Sequence, residues 1–205
     1  MKRFVDVVAA LFGLLLMAPV LVFIALAVRI DSEGPVLFRQ TRVGRDGRTF
    51  QILKFRSMYH AHHGRDSGAQ ITAADDPRIT RFGALLRRSK LDELPQLINV
   101  LRGDMSLVGP RPEVPRYVAM YPPDARAEIL SVRPGITDEA AIEFRDESEI
   151  LGRSVDPERT YIEEILPRKI QLYQDYVRHR SLLSDLLIIL RTLRRIVVST
   201  SNRGA

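Results

Sequence analysis

The chain has 205 residues, which is enough for one domain with its own hydrophobic core. Lysine and arginine number 31 against 25 aspartates and glutamates, which gives a formal net charge of +6. There is no cysteine, so disulfides, thiolate nucleophiles and cysteine-based zinc sites are excluded. The excess of arginine favours phosphate or anionic-lipid partners, because guanidinium binds phosphate in a bidentate fork. A GC-rich genome would produce the same bias.

An apolar segment without any charged residue runs from Val7 to Val28. At about 1.5 Å per residue it is long enough to cross a hydrocarbon core. We interpret it as retained rather than cleaved as a signal peptide, because Arg29 and Asp31 follow it without a small-residue cleavage site.

Basic residues lie on both sides of this segment, beginning with Lys2 and Arg3 before it and Arg29 after it. The positive-inside rule places both flanks in the cytoplasm. Pro19, near the middle, removes one backbone hydrogen bond and bends the helix. We therefore predict a re-entrant membrane helix over residues 1–30 that breaks at Ala18-Pro19 and leaves by the face it entered. A kinked spanning helix is the alternative.

Two strands are expected next, around Val36–Phe38 and Phe50–Phe55, joined by a turn whose Asp46-Gly47 pair is a hairpin signal. Residues 59–76 show no apolar period and are predicted to form a mobile loop. Three histidines in this loop suggest a metal site, but no carboxylate accompanies them at helical spacing, and a solvated loop is the preferred interpretation. These histidines are His60, His62 and His63.

The pattern from Arg78 to Lys90 predicts a helix, and Pro95 should end or kink whatever helix contains Leu91 and Leu94. Asp92 and Glu93 then precede a break, where side chains can point into a cleft. Arg111 stands between two prolines, which restrict its backbone and so position its side chain. Carboxylates close to fixed cations, including Arg87, suit chemistry on phosphate: the cations hold the oxyanions and a carboxylate attacks.

The remaining third is predicted to be mostly helical. Arg133–Thr137 is expected to be a turn that carries a cation, and Asp156-Pro157 is typical of a helix start. A last helix should begin near Ser181 or Ser184. It carries an apolar stripe, which suits either the headgroup layer of a membrane or packing on the domain. The stripe comprises Leu183, Leu186, Leu187, Leu190, Leu193 and Val197.

Several spaced motifs, taken together, resemble the bacterial sugar transferases of the small monotopic phosphoglycosyl transferase family. The resemblance covers nearly the whole chain, and we expect the minimal form of the family, without an extra N-terminal membrane bundle. The motifs are Lys2–Asp6, the apolar segment with its proline, Phe38–Gln40, Lys54–Met58, Leu91–Gln96, Gly103–Ser106, Gly109–Pro112 and Arg133–Thr137.

The resemblance implies transfer of a sugar 1-phosphate from a UDP-sugar to a membrane polyprenol phosphate, usually undecaprenyl phosphate, with release of UMP. It implies that Asp92 attacks the β-phosphate and forms an aspartyl phosphosugar intermediate. Glu93 would assist at the metal or the acceptor, and Asp92 and Glu93 are the expected ligands of Mg²⁺. Phosphate- or substrate-binding roles are implied for Arg87, Arg111, Lys54 and Arg133, and Asp104 is a weaker candidate.

The expected fold is α/β and α-rich: a membrane re-entrant helical hairpin, a small mixed α/β catalytic domain over 31–198 and interfacial amphipathic helices, with a flexible tail at 199–205. We expect the bacterial inner membrane as the location, with the catalytic domain on the cytoplasmic face and in contact with membrane lipid. The sequence leaves a homodimer, the sugar and the glycan pathway open.

The sequence departs from the usual family pattern in two places. Ala18 stands where many members have a serine before the membrane proline, so the predicted break depends on Pro19 alone. After Thr137 the chain continues with Asp138-Glu139 rather than Gly-x-Ala-Gln, so no particular sugar is inferred.

The sequence leaves two rival functions open. One is a membrane-tethered basic module that binds anionic lipid or nucleic acid; the basic residues lack the interleaved aromatic residues that single-strand binders use, and no nucleic-acid partner is expected. The other is glycosyl transfer that releases UDP.

Overall fold

The computed structural model describes residues 1–60 and 76–201, and most of the expected histidine loop therefore lies outside the described residues, as does the end of the tail. The first element, α1, is a single helix from Lys2 to Asp31 that remains continuous through Pro19. The structure thus has one helix where we expected a break at Ala18-Pro19. A proline can bend a helix without interrupting it, because neighbouring turns keep their hydrogen bonds. By length and composition α1 could cross a membrane, with a mean hydropathy of 2.8 in its best window.

The two ends of α1 are bonded to the same domain. Arg3 donates to the carbonyl oxygens of Val100 and Leu101 at 2.7 and 3.2 Å. Asp6, which is buried, accepts from the Ser106 hydroxyl at 2.8 Å. At the other end, the Arg56 guanidinium donates to Val28 O at 3.1 Å. Between these two bonded ends, the helical turn of α1 that contains Pro19 is exposed. Its exposed residues are Leu15, Leu16, Ala18, Pro19 and Val20.

The predicted hairpin is confirmed. Strands β1 (Leu37–Val43) and β2 (Thr49–Phe55) pair antiparallel, from Leu37 opposite Phe55 to Val43 opposite Thr49. The connection needs two residues in the left-handed region, and Asp46 (φ 58°) and Gly47 (φ 76°) supply them. β2 leads directly to Lys54, so the hairpin delivers this side chain to the site described below.

A second, parallel pair joins β3 (Ser106–Val108) to β4 (Gly135–Thr137), with Ser106 opposite Gly135. The segment Arg133–Thr137 is therefore largely a strand rather than the turn we predicted. Gly135 allows β4 to lie close to the backbone at Gly109, because a Cβ at position 135 would be 2.1 Å from the backbone nitrogen of Gly109.

Helices surround these strands. Around the site lie α2 (Arg81–Ser89) and α3 (Gln96–Arg102). Short helices follow as α4 (Pro115–Val118), α5 (Pro123–Leu130), α6 (Glu139–Glu143), α7 (Glu147–Gly152) and α8 (Pro157–Thr160). The side chain of Asp156 caps α8 and Pro157 begins it, as predicted. A π-helical segment, Tyr161–Ile165, continues without interruption into α9 (Leu166–His179).

The last helix, α10 (Leu182–Ser201), begins after Ser181, whose hydroxyl accepts from the Ser184 amide at 3.0 Å. It extends past the point where the flexible tail was expected to start. Its buried face consists of Asp185 and Ile188, while the apolar stripe faces outward. The exposed members are Leu183, Leu186, Leu187, Leu190 and Leu193, each 48–67% exposed. The five described leucines of the stripe therefore lie largely outside the described core, which favours the interfacial interpretation.

Candidate active site

Asp92 and Glu93 lie in a tight turn between two helices. α2 stops because Lys90 adopts a left-handed conformation (φ 59°), and a single 3₁₀ turn, Leu91–Glu93, follows. Pro95 then occupies the position just before α3. The 3₁₀ turn that contains Leu91 thus ends before Pro95, as predicted, and Pro95 precedes a new helix, where its missing N–H costs nothing. The turn projects the two carboxylates into the interior of the domain.

Glu93 lies between two cations that come from distant parts of the chain. Lys54 Nζ donates to Glu93 Oε1 at 2.8 Å, and both amino groups of Arg111 bond the same carboxylate. All three side chains are largely buried, with 12–27% of each exposed. Burial alone would raise the pKa of Glu93, but Arg111 and Lys54 hold that pKa well below its usual range. Glu93 is therefore ionised, with both oxygens engaged.

Asp92 is in the opposite situation. It is 7% exposed, and its Oδ1 has no hydrogen-bond partner in the described structure. Burial raises the pKa of Asp92, and the nearby Lys54 opposes this shift in part. A buried carboxylate without a partner is costly to the fold and free to react. Of the two adjacent acids, only Asp92 has a buried oxygen, Oδ1, without a partner among the described residues.

Arg87 supplies a third cation, from the last turn of α2. Its Nη1 is buried and also has no partner among the described residues. Burial lowers the pKa of Arg87, and among the neighbouring charges Asp92 opposes this shift most strongly. α2 is held in place at its start, where Thr80 caps the helix by accepting from the Gly83 amide at 2.9 Å. Buried polar groups without partners are rare in folded proteins, so Arg87 Nη1 and Asp92 Oδ1 both call for an explanation such as a polar ligand.

The described residues contain no group of three or more histidine or acidic side chains close enough to hold a metal ion. The site residues could still hold Mg²⁺ in the way that this ion commonly binds beside phosphates: through one or two protein carboxylates, several water molecules and the phosphates of the substrate. The unpartnered Oδ1 of Asp92 is the available ligand. Glu93 is committed to Lys54 and Arg111 instead.

The structure brings together Asp92, Glu93, Lys54, Arg87 and Arg111. It does not bring Arg133 to this group: the Arg133 Nε donates to Gly103 O at 2.9 Å, beyond the far end of α3. Asp104 lies at that end too and accepts from Asn99 Nδ2 at 3.1 Å.

Sequence reasoning missed three residues around the site. Asn99 is fully buried and accepts from the Leu53 amide at 3.0 Å, which ties α3 to the strand that carries Lys54. Asp138 is buried behind Arg111, and burial raises its pKa to about 6 although the Ala141 amide bonds its Oδ1. Glu113 lies under the turn that carries Arg111, in a network of its own. Only Asp138 had a sequence signal, as a departure from the family pattern.

An unpaired carboxylate beside three fixed cations is the arrangement expected of an enzyme that attacks phosphate groups. The comparison with protein families agrees with this chemistry, since the model of the bacterial sugar transferase family matches residues 1–199. The chain belongs to that family, and the prediction of the family from the motifs is confirmed.

Characterised relatives resemble nearly the whole chain. A UDP-glucose:undecaprenyl-phosphate glucose-1-phosphate transferase of Caulobacter vibrioides is 42% identical over 94% of this chain and 68% of its own length. An Escherichia coli protein of the same name is 40% identical over 94% of this chain and 39% of its own. A UDP-N-acetylgalactosamine-undecaprenyl-phosphate N-acetylgalactosaminephosphotransferase of Aeromonas hydrophila is 37% identical over 98% of this chain and 45% of its own length. The chain thus spans between about two fifths and two thirds of these relatives.

Proposed function

We propose that the protein transfers a sugar 1-phosphate from a UDP-sugar to undecaprenyl phosphate in the membrane and releases UMP. The observation that carries this proposal is the contrast between two adjacent carboxylates: Glu93 is bonded by two cations, and Asp92 is buried without a partner. The names of the relatives, which act on undecaprenyl phosphate, support the same chemistry.

In the first step, a carboxylate oxygen of Asp92 attacks the β-phosphorus of the UDP-sugar. An oxygen–phosphorus bond forms, the bond from the β-phosphorus to the bridging oxygen breaks, and UMP leaves with that oxygen. The carboxylate attacks without a base, because its ionised form has no proton to lose. Arg87 and Arg111 lie where they can neutralise the phosphate oxygens as charge moves.

In the second step, a phosphate oxygen of undecaprenyl phosphate attacks the phosphorus of the aspartyl phosphosugar. The bond to Asp92 breaks, the carboxylate is regenerated, and the product is an undecaprenyl diphosphate sugar. Mg²⁺, when bound with the donor, would shield the charge of the diphosphate, and Asp92 Oδ1 is its candidate protein ligand. Glu93 keeps Lys54 and Arg111 in place through both steps.

We further propose that α1 is re-entrant, with the domain on the cytoplasmic face of the inner membrane. A spanning helix would place its two ends on opposite faces, about 30 Å apart. Here Arg3 and Asp6 near one end, and Val28 at the other, bond the same domain. The exposed turn around Pro19 is then the part that enters deepest. The outward apolar stripe of α10 supports an interfacial position for that helix, at the level of the headgroups.

The nucleotide product tests the proposed reaction. Detergent-purified protein is incubated with undecaprenyl phosphate, Mg²⁺ and a panel of UDP-sugars that includes UDP-glucose and UDP-N-acetylgalactosamine. UMP release with one donor supports the proposal, and Asp92→Asn should abolish that release while the protein remains folded. UDP release would mean simple glycosyl transfer, and no release by folded protein would favour a non-catalytic basic module.

The membrane geometry has a separate test. Because the chain has no cysteine, one cysteine introduced at Met1 is the only thiol that can react. An impermeant thiol reagent should fail to label it in intact cells and should label it after the membrane is opened. Labelling in intact cells would contradict the re-entrant arrangement.

A further inference from the structure

We propose that Glu113 is a positioning residue for Arg111, held by a buried polar network that makes no contact with the reacting groups. This inference depends on the proposed function, because it assigns the network a role in that reaction. Glu113 is 6% exposed and lies two residues after Arg111. Its carboxylate is bonded by Tyr161, which belongs to the core formed by the C-terminal helices.

Three elements contribute donors to this carboxylate. The Tyr161 hydroxyl donates to Oε1 at 2.7 Å, and Arg42 Nη1 donates to Oε2 at 3.4 Å. Lys169 Nζ lies 3.9 Å from Oε1 and pairs at 2.7 Å with Glu147. Two cations and two carboxylates thus compensate one another inside the core. Replacing such a network by apolar residues is often neutral or stabilising, so the network is weak evidence for a purely stabilising role.

The same donors hold the backbone that carries Arg111. Arg42 Nη1 also donates to Pro112 O at 3.0 Å, and the Val43 amide donates to Glu113 O at 3.0 Å. Both carbonyl groups that follow Arg111 are therefore fixed to β1. Because Pro112 restricts the dihedral angles of the residue before it, the backbone of Arg111 has little freedom left. The network around Glu113 then fixes the backbone from which the Arg111 side chain extends, while Glu93 bonds the guanidinium itself.

The helix that supplies Tyr161 is locally distorted. Tyr161 begins the π-helical segment, a wider turn that is rare and is found frequently at functional sites. The distortion brings Tyr161 inward to 3% exposure, with its ring 4.9 Å from that of Tyr117 and Lys169 Nζ 4.8 Å from its centroid. Its hydroxyl is the shortest contact of Glu113, so it is the bond to remove.

The test is a double-mutant cycle between Tyr161→Phe and Arg111→Lys, with UMP release, KM for the donor and Tm measured for each variant. Tyr161→Phe removes one hydroxyl and keeps the ring. If Glu113 acts through Arg111, kcat should fall about tenfold with KM nearly unchanged, because a misplaced group loses transition-state contacts. In the Arg111→Lys background the same change should cost less than twofold, since Lys cannot form the bidentate contact that the network positions.

Tyr117→Phe is the matched control, because Tyr117 belongs to the same core and the structure shows no bond between its hydroxyl and Glu113. It should leave kcat within twofold. An equal tenfold loss in both backgrounds, or a loss that follows Tm alone, would overturn the positioning role and leave the network purely structural. If the wild type releases no UMP from any donor, the proposed function fails instead, and the two failures are distinguished.

Discussion

Asp92 and Glu93 are neighbours, yet the structure predicts opposite effects of the same isosteric change on stability. Glu93 compensates two buried cations, Lys54 and Arg111. Asp92 is a buried charge without a bonded partner at Oδ1, and burial raises its pKa. Glu93→Gln therefore leaves uncompensated cations in the interior, whereas Asp92→Asn removes a charge that the interior disfavours.

The magnitudes follow from this difference. Removing one partner of a buried ion pair costs about 3–5 kcal/mol. For a chain of this length, about 1 kcal/mol corresponds to roughly 2–4 °C in Tm. Glu93→Gln should then lower Tm by roughly 6–20 °C. Asp92→Asn relieves part of the cost of an unsatisfied buried group, about 1 kcal/mol, and should raise Tm by roughly 2–4 °C.

Thermal unfolding of the two purified variants, followed alongside UMP release, separates stability from turnover. Both variants should lose turnover, but their Tm values should move in opposite directions. Glu163→Gln is the matched control, because Glu163 pairs with Arg159 on an exposed surface and its loss should change the free energy of unfolding by less than about 1 kcal/mol. If Asp92→Asn destabilises the protein as much as Glu93→Gln, Asp92 is a structural acid and the reasoning fails.

Three further predictions concern burial and surface. Burial raises the pKa of Asp138 to about 6, so the stabilisation that Asp138 contributes is complete below about pH 4 and is lost as the pH rises through about 6. The wild-type protein should therefore lose about 3 kcal/mol of stability over this range, seen as a fall in Tm, and Asp138→Asn should remove that fall. An unchanged Tm–pH curve in the variant would contradict this prediction. A Cβ at Gly83 would lie 2.1 Å from Ser57 O, so Gly83→Ala should lower the free energy of unfolding by about 1–3 kcal/mol and should reduce turnover by displacing Arg87. Gly13→Ala is the control and should be tolerated; Tm and UMP release are measured for both variants. The double variant Leu186→Glu/Leu190→Glu should lower the membrane-bound fraction of the protein in sedimentation without lowering its Tm. Val155→Glu is the control and should change neither quantity. A large loss of Tm in the double variant would mean that the stripe packs on protein.

Local signals in the sequence predicted the parts of the fold that depend on neighbouring residues. The Asp46-Gly47 turn, the Asp156-Pro157 helix start and the beginning of α10 follow from backbone preferences, and the structure has each of them. The boundaries of α2 were less accurate, because Thr80 caps the helix and Lys90 ends it in a left-handed conformation. No periodic pattern reveals that a lysine will adopt this conformation.

For the site too, the sequence could not predict contacts between residues that are far apart in the chain. The motifs named Asp92, Glu93, Lys54, Arg87 and Arg111, and the structure brings these five together. They could not show which acid is paired, because Lys54 and Arg111 are 39 and 18 residues from Glu93. Pairing over such separations is decided by the packing of whole elements.

Arg133 lies apart from these five residues. It was grouped with the phosphate-binding residues on the motif alone, but β4 runs parallel to β3 and places Arg133 at the other end of α3. The network behind Arg111 was not predicted either, since Arg42, Glu113 and Tyr161 meet only after the hairpin and the C-terminal helices have packed.

The most direct test of the central proposal is a single-turnover reaction without acceptor. UDP-sugar donor in excess over the protein, with Mg²⁺ and no undecaprenyl phosphate, should release UMP in a burst that stops at about one equivalent of protein. Mass spectrometry after acid quenching should find the sugar phosphate on the peptide that contains Asp92, and added undecaprenyl phosphate should remove it. No burst and no adduct without acceptor, in protein that turns over when acceptor is present, would contradict attack by Asp92 and indicate direct transfer.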